Sequence, residues 1–357
     1  MRLEFLSSTP LSAAEGSGTF VALDGLLRGL GRLGHDVLIR PLRLRTGFHT
    51  LDRWLYNAGV AVRPPRADVV VGVDLDGFLW SRRRPRIPFV VALKGIIADE
   101  LMNERGWVRT LLGVQARWER ANARGADRVV VPSQYSLRIA RDRYGVAGDA
   151  LAVVPEPIDL DEWRHRFAAA PREARSRPTV LAVARLYPRK RIQDLLEAAA
   201  VLRERIPGVA VRIVGEGPEG GRLRGLHRRL GLEGTVRFLG QVSRGAVAVE
   251  YVRADCFCLP TVQEGVGLVF LEAMAAGLPV VACRAAAVPE VVEDGRTGFL
   301  VTPRRPQELA RAIETLLGNE GLRKDFGAAG QRHVETFTPE RVARRFVEAL
   351  PVGERAA

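Results

Sequence analysis

The residues best equipped for chemistry sit in one stretch, Glu264-Gly265-Val266-Gly267-Leu268, running on to Glu272. An apolar run at residues 256–259 precedes it and a helix-like run begins near Gly267, so the stretch reads as a strand-to-helix junction. The first amides of a helix have no intrahelical acceptor, which leaves the amides of Gly265 to Leu268 as donors for an anion or a hydroxyl. Glu264 in the loop and Glu272 on the helix are carboxylates, acceptors suited to sugar or ribose hydroxyls. Two glutamates eight apart also arise by chance, so the pair needs company.

Three other junctions supply it. Ala184-Arg185-Leu186-Tyr187-Pro188-Arg189-Lys190-Arg191 gathers cations after the apolar run 180–184. Lys190 is one of three lysines, with Lys94 and Lys324, among 54 Lys and Arg residues. A lysine in such an arginine-rich chain suggests a need for a compact ammonium, the alternative being a solvated basic loop. Gly215-Glu216-Gly217-Pro218 either lets the backbone approach a base or ribose or is an ordinary turn. Glu15-Gly16-Ser17-Gly18 opens a helix where phosphate could bind or the chain simply turns. It lacks the third glycine of a dinucleotide fingerprint and the lysine of a Walker loop.

Elements that could hold these junctions alternate throughout the chain. Strand-like runs fall at 3–6, 37–40, 69–73, 89–93, 128–131 and 151–154, then at 180–184, 210–214, 236–239, 256–259, 280–282 and 298–301. Amphipathic runs separate them, such as 18–33, with Phe20, Leu23, Leu26, Leu27 and Leu30 at helical spacing before Gly34. This is the pattern of an α/β protein with parallel sheets. The stretch 168–178 breaks the alternation and reads as a linker. The expected organisation is one domain at 1–172, a second at 178–336 and a closing helix and tail at 337–357. In open sheets of this kind ligands bind at the carboxyl ends of strands, where all four junctions fall.

Taken in order and spacing, residues 184–190, 215–218, 236–240 and 264–272 resemble the family 4 glycosyltransferases. Val288-Pro289-Glu290-Val291-Val292, Asp294-Gly295 and Gly298-Phe299-Leu300-Val301 complete the match. The resemblance implies a GT-B fold: two Rossmann-like α/β domains facing a central cleft, with the C-terminal helix crossing back to the N-terminal domain. The first domain would bind the acceptor and the second the donor, a nucleotide-diphosphate sugar. Arg185 and Lys190 would neutralise the leaving diphosphate, Glu264 would hold the donor sugar and Glu272 the ribose hydroxyls. Gly16, Lys94, Gly215, Gly217, Val242, Gly265, Val266, Gly267 and Leu268 would complete the donor site. The implied reaction is sugar transfer with retention to a hydroxyl of a glycan, a lipid-linked acceptor or a small molecule. It calls for no cofactor and no metal, because fixed cations and amides meet the developing charge. A non-catalytic sugar-nucleotide-binding or membrane-docking protein is the alternative. The chain departs from the family pattern at Leu93-Lys94-Gly95, where a histidine is common, at Pro155-Glu156-Pro157, and at Ala286-Ala287 before the Val-Pro-Glu run. Lys94 therefore either touches a hydroxyl, carboxylate or phosphate or has a structural role.

Composition narrows the partners. At 47% hydrophobic and 27% charged residues the chain is globular. The net charge of +13 is almost entirely arginine, without zinc-finger spacing, aromatic RNA-binding signature or basic tail, so nucleic acid is set aside as the partner. The charge favours an anionic ligand, an acidic membrane surface or both. Trp80-Ser81-Arg82-Arg83-Arg84-Pro85-Arg86 reads either as an interfacial anchor or as a solvated basic loop. Cys256, Cys258 and Cys283 read as buried strand residues, and the five histidines show no ligand spacing. With no signal-like N-terminus and no apolar stretch of spanning length, a cytoplasmic protein, peripheral at most on the membrane, is expected.

Overall fold

In the computed structural model of the 357-residue chain, the described residues are 1–10, 18–43, 45–83, 86–171 and 177–351. They contain twelve strands in two parallel six-stranded sheets. The first sheet holds β1 (Arg2–Ser7), β2 (Asp36–Pro41), β3 (Val69–Val73), β4 (Phe89–Ala92), β5 (Arg128–Val131) and β6 (Leu151–Val153), in the order β2-β1-β3-β4-β5-β6. The second holds β7 (Thr179–Val183), β8 (Ala210–Val214), β9 (Val236–Gly240), β10 (Cys256–Leu259), β11 (Val280–Cys283) and β12 (Gly298–Val301), in the order β12-β11-β10-β7-β8-β9. Central strands such as β3 and β10 are buried along their whole length, as expected where helices cover both faces. Each sheet reverses its winding once, between β1 and β3 in the first and between β7 and β10 in the second. Those reversals open the crevices where ligands of such sheets bind.

The chain divides into two compact units, Met1–Pro157 with Phe337–Ala357, and Ile158–Thr336. The first boundary lies upstream of the expected 172 because the helix Leu160–Ala169 packs within the second unit. Its Trp163 meets the Tyr251 ring edge-on at 5.7 Å, and Arg244 lies 5.7 Å over the Trp163 ring. Part of the expected linker at 168–178 is thus helical, and residues 172–176 lie outside the described ones.

The helix Pro339–Glu348 returns to the first unit, where Val342, Ala343, Phe346 and Leu350 join Leu3, Phe5, Leu26 and Leu30 in one buried cluster. Phe346 stacks on Phe5 at 6.0 Å. Gly29 makes this possible, because a Cβ there would lie 2.2 Å from the Pro339 carbonyl oxygen.

The proposed anchor at residues 80–86 is overturned at its aromatic end. Trp80 is 3% exposed, edge-on to Phe89 at 5.3 Å, and Arg83 donates to the Ala61 carbonyl at 2.7 Å. Burying an indole between strand and helix is worth more than presenting it beside arginines. Residues 84 and 85 lie outside the described ones. All three cysteines are free and buried, and no helix among the described residues is long and apolar enough to cross a membrane.

Candidate functional site

The second unit gathers its chemistry at the carboxyl ends of four adjacent strands. The turns there are tied in the order of the strands. Val262 after β10 donates its amide to the Arg189 carbonyl after β7 at 2.9 Å, and Thr261 Oγ1 donates to the same oxygen at 3.2 Å. Leu186 after β7 donates to the Glu216 carbonyl after β8 at 3.0 Å, and Glu219 returns a bond to the Leu186 carbonyl at 2.9 Å. Gly215 then donates to the carbonyl of Gly240 at the end of β9, at 2.8 Å. Backbone bonds of this kind fix a rim without spending side chains on it.

Gly215 and Gly217 serve this lacing. A Cβ on Gly215 would stand 2.0 Å from the Ala184 carbonyl oxygen, and its φ of 117° is unfavourable for other residues. A Cβ on Gly217 would stand 2.6 Å from the Leu186 nitrogen. The close approach that these glycines permit in the folded chain is therefore between two stretches of its own backbone. Val242 follows β9 in the turn whose next residue, Ser243, caps the helix Arg244–Arg253.

At the winding reversal, Lys190 donates its ammonium to Glu264 Oε1, with side chains 12% and 10% exposed. An ammonium has three donors, so this bond leaves two directions for a second partner. Arg185 and Arg189 both lie over the Tyr187 ring, at 5.6 and 5.0 Å. Arg191 adopts a left-handed conformation at φ 52° and grips Asp194 with two bonds of 2.6 and 3.0 Å, which holds the turn against its helix.

Gly265, Val266 and Gly267 lead into the helix Leu268–Ala275. Val266 is buried, so its side chain belongs to the core and only its backbone is available at this turn. Gly267 is left-handed at φ 86°, where a Cβ would press within 2.7 Å of the Phe270 ring. The helix start carries neither a capping side chain nor an acidic residue in its first turn, and the Phe270 amide turns back to the Gly267 carbonyl at 2.9 Å. Glu272 accepts the Tyr251 hydroxyl at 3.0 Å. Burial pushes the Glu272 carboxyl up to about 7, opposed by the Tyr251 bond and the Arg244 charge. Tyr251 itself is fully buried among Trp163, Phe167 and Phe257. Sequence reasoning missed this tyrosine as the partner of Glu272; its register on a helix packed beside another is a tertiary fact.

Lys94 belongs to the first unit, beyond the end of β4. Its amide donates to Asp74 Oδ1 at 2.8 Å, the Ile97 amide to Glu119 Oε2 at 2.9 Å, and the Ala98 amide to the Tyr144 hydroxyl at 3.2 Å. Tyr144 in turn donates to Glu119. Burial raises both Asp74 and Glu119 above the ordinary carboxyl range. At the reversal between β1 and β3, Asp76 accepts the Ser8 amide at 2.6 Å and its hydroxyl at 2.8 Å. Burial raises Asp76 to about 6. Gly16 lies outside the described residues.

Comparison with known proteins covers both units. The family model "Glycosyltransferase Family 4" matches residues 39–162, and "Glycosyl transferases group 1" matches residues 164–333. A GDP-mannose-dependent alpha-(1-6)-phosphatidylinositol monomannoside mannosyltransferase of Mycobacterium tuberculosis is 34% identical over 251 residues, 67% of this chain and 64% of its own length. D-inositol 3-phosphate glycosyltransferase 2 of Catenulispora acidiphila is 34% identical over 226 residues, 59% of this chain and 53% of its own length. The chain thus matches less than two thirds of these relatives. Among solved structures, a sucrose-phosphate synthase of Thermosynechococcus elongatus superposes with a TM-score of 0.81 over 97% of both chains at 20% identity. Anabaena HepE in complex with UDP-glucose gives 0.76 over 98% of both chains at 22% identity.

Proposed function

Because the chain belongs to the family 4 glycosyltransferases, we propose that it moves a sugar from a nucleotide-diphosphate sugar to an acceptor hydroxyl, with retention and without a metal ion. The observation that carries this reading is the Lys190–Glu264 pair at the winding reversal of the second sheet, beside uncapped helix amides. In it the donor diphosphate takes the free directions of the Lys190 ammonium together with Arg185. Glu264, pinned by Lys190, accepts from hydroxyls of the donor sugar. The amides after Glu264 bind sugar and phosphate, and Glu272 accepts from the ribose.

Departure of the diphosphate builds negative charge where fixed cations and amides already point. Such preorganised donors stabilise the transition state more than the ground state. The acceptor hydroxyl gives its proton to a phosphate oxygen of the leaving group as the new glycosidic bond forms, so no side chain need act as base. Lys94, on a loop latched by Asp74 and Glu119, is the first unit's contribution to ligand recognition in this reading. The relatives' names supply the first donors to try, GDP-mannose and UDP-glucose, and inositol-bearing molecules as first acceptors.

The test is release of nucleoside diphosphate from a panel of nucleotide sugars with EDTA present, with the product's anomeric configuration read by NMR. Turnover with a retained anomeric centre, lost in Lys190→Ala, is the expected result. Donor binding without turnover under any acceptor would replace the enzyme with a non-catalytic sugar-nucleotide-binding protein, and turnover that EDTA abolishes would overturn the metal-free mechanism.

A further inference from the structure

Every large hydrophobic residue that stands exposed among the described residues lies in the first unit. Six of these fall on two neighbouring segments: Phe48, Leu51 and Trp54 at the start of the helix His49–Val62, and Met102, Trp107 and Val108 around the start of the helix Gly106–Arg124. Trp107 is 69% exposed and Trp54 44%. Gln115 joins the two helices, accepting from Arg53 at 3.0 Å and donating to Thr50 at 2.9 Å. Trp107 lies eight residues before it, about 12 Å along the helix axis. Arg109 also reaches the Leu101 carbonyl at 3.3 Å, which holds the Met102 segment beside that helix.

The charges around this surface have one sign. Across the described residues of 41–66 and 101–124, every exposed charged side chain is an arginine, Arg43, Arg45, Arg105 and Arg109 among them. The acids of these stretches are withdrawn: Asp52 is buried against Thr46, Glu119 is buried beneath the Lys94 loop, and Glu104 is partly covered. Two copies of such a surface would repel, and an ordinary protein partner would have to match both the indoles and an arginine field. An anionic lipid surface satisfies both at once, because indoles and short apolar side chains settle at the headgroup level while arginines pair with lipid phosphates.

We propose that this face of the first unit, and not the 80–86 segment, docks the protein peripherally on an anionic bilayer. The inference stands on the surface alone and does not depend on the donor site. It is tested by flotation with phosphatidylcholine vesicles with and without phosphatidylglycerol. Wild-type protein is expected to float only with the anionic vesicles and to be released by high salt. Trp54→Ser with Trp107→Ser, and separately Arg105→Glu with Arg109→Glu, should each lower the bound fraction about tenfold. Each variant is checked by its melting temperature and by its thermal shift with a nucleotide sugar, both of which should match wild type. Failure of the wild type to float, or variants that float like it, would overturn the proposal. So would a concentration-dependent dimer in light scattering that the tryptophan variants abolish, which would assign the face to a second copy. A flotation result of either kind leaves the donor thermal shift unaffected, so the two readings fail separately.

Discussion

The two units build the same kind of parallel sheet and differ in how far buried carboxylates help to finish its working edge. In the second, the turns after β7, β8, β9 and β10 bond to one another through backbone, and glycines at 215 and 217 let them close. In the first, backbone bonds such as Asp74 to the Ala92 carbonyl are joined by buried carboxylates: Asp76 takes Ser8, Asp74 takes the Lys94 amide and Glu119 takes Ile97. A backbone-laced rim does not need its charged side chains to hold the turns together, which leaves residues such as Lys190 and Glu264 for a ligand. A carboxylate-held rim is exposed to pH, because its buried acids are ionised at a cost. The exposed apolar surface follows the same division, present on the first unit and absent from the described residues of the second.

Substitution can break this contrast most directly at Gly215. Gly215→Ala forces a Cβ against the Ala184 oxygen at an unfavourable φ and should cost about 3–5 kcal/mol, read by denaturant unfolding. Gly113→Ala in the first unit, where a Cβ meets nothing within 4 Å, should leave stability near wild type. Equal effects would end the claim that the second rim depends on backbone closure. Next in size is Lys190→Ala. Removing one charge-stabilising donor should lower turnover about a thousandfold, and Lys190→Arg should recover only part, since a planar fork does not replace a compact ammonium.

The first rim should show itself in acid. Asp76 is raised from 3.8 to about 6, so the folded state holds its proton more tightly than the unfolded chain across that window. Stability from this group therefore falls as pH rises from about 4 to 6 and is level above. Asp76→Asn should flatten that slope by about 2–3 kcal/mol over the window, measured by urea unfolding at stepped pH. The smallest expected effect sharpens the contrast from the other side. Burial raises Glu272 to about 7, and in the proposed donor site only its ionised form would accept both ribose hydroxyls fully. Affinity for a nucleotide sugar, whose diester phosphates do not titrate there, should strengthen about tenfold between pH 6 and pH 8. Glu272→Gln should bind more weakly with a flat profile, and a sloping one would remove Glu272 as its cause.

Much of this was legible beforehand for a physical reason. Strand and helix periods reveal themselves locally, and the cations, glycines and acids of the second unit cluster at strand ends within a few residues of one another. Arg185, Lys190, Glu264 and Gly267 could be placed on that basis. What escaped depends on pairs far apart in the chain. Trp163 is bound by Tyr251, so its helix joins the second unit although it directly follows the first in sequence. Trp80 left an anchor open beside a solvated loop because arginines follow it, while the Phe89 edge that buries it comes from a strand nine residues on. Ser8 and Asp76 are 68 residues apart, and nothing local marks either as the other's partner. Gly215 and Gly217 were recognisable as needing space, but what fills the space is backbone from another turn.

The helix Pro339–Glu348 has a consequence for how the protein comes to be made. The first unit cannot complete its apolar interior until Val342, Ala343, Phe346 and Leu350 arrive, at least 189 residues after the end of β6 at Val153. The second unit, continuous from Ile158 to Thr336, has every part it needs earlier. During vectorial synthesis the later unit therefore has its full sequence available before the earlier one, whose Leu3, Phe5 and Leu26 lack the partners that the last helix brings. Truncation before Phe346 is therefore expected to expose part of the first unit's core and to make that unit the more aggregation-prone.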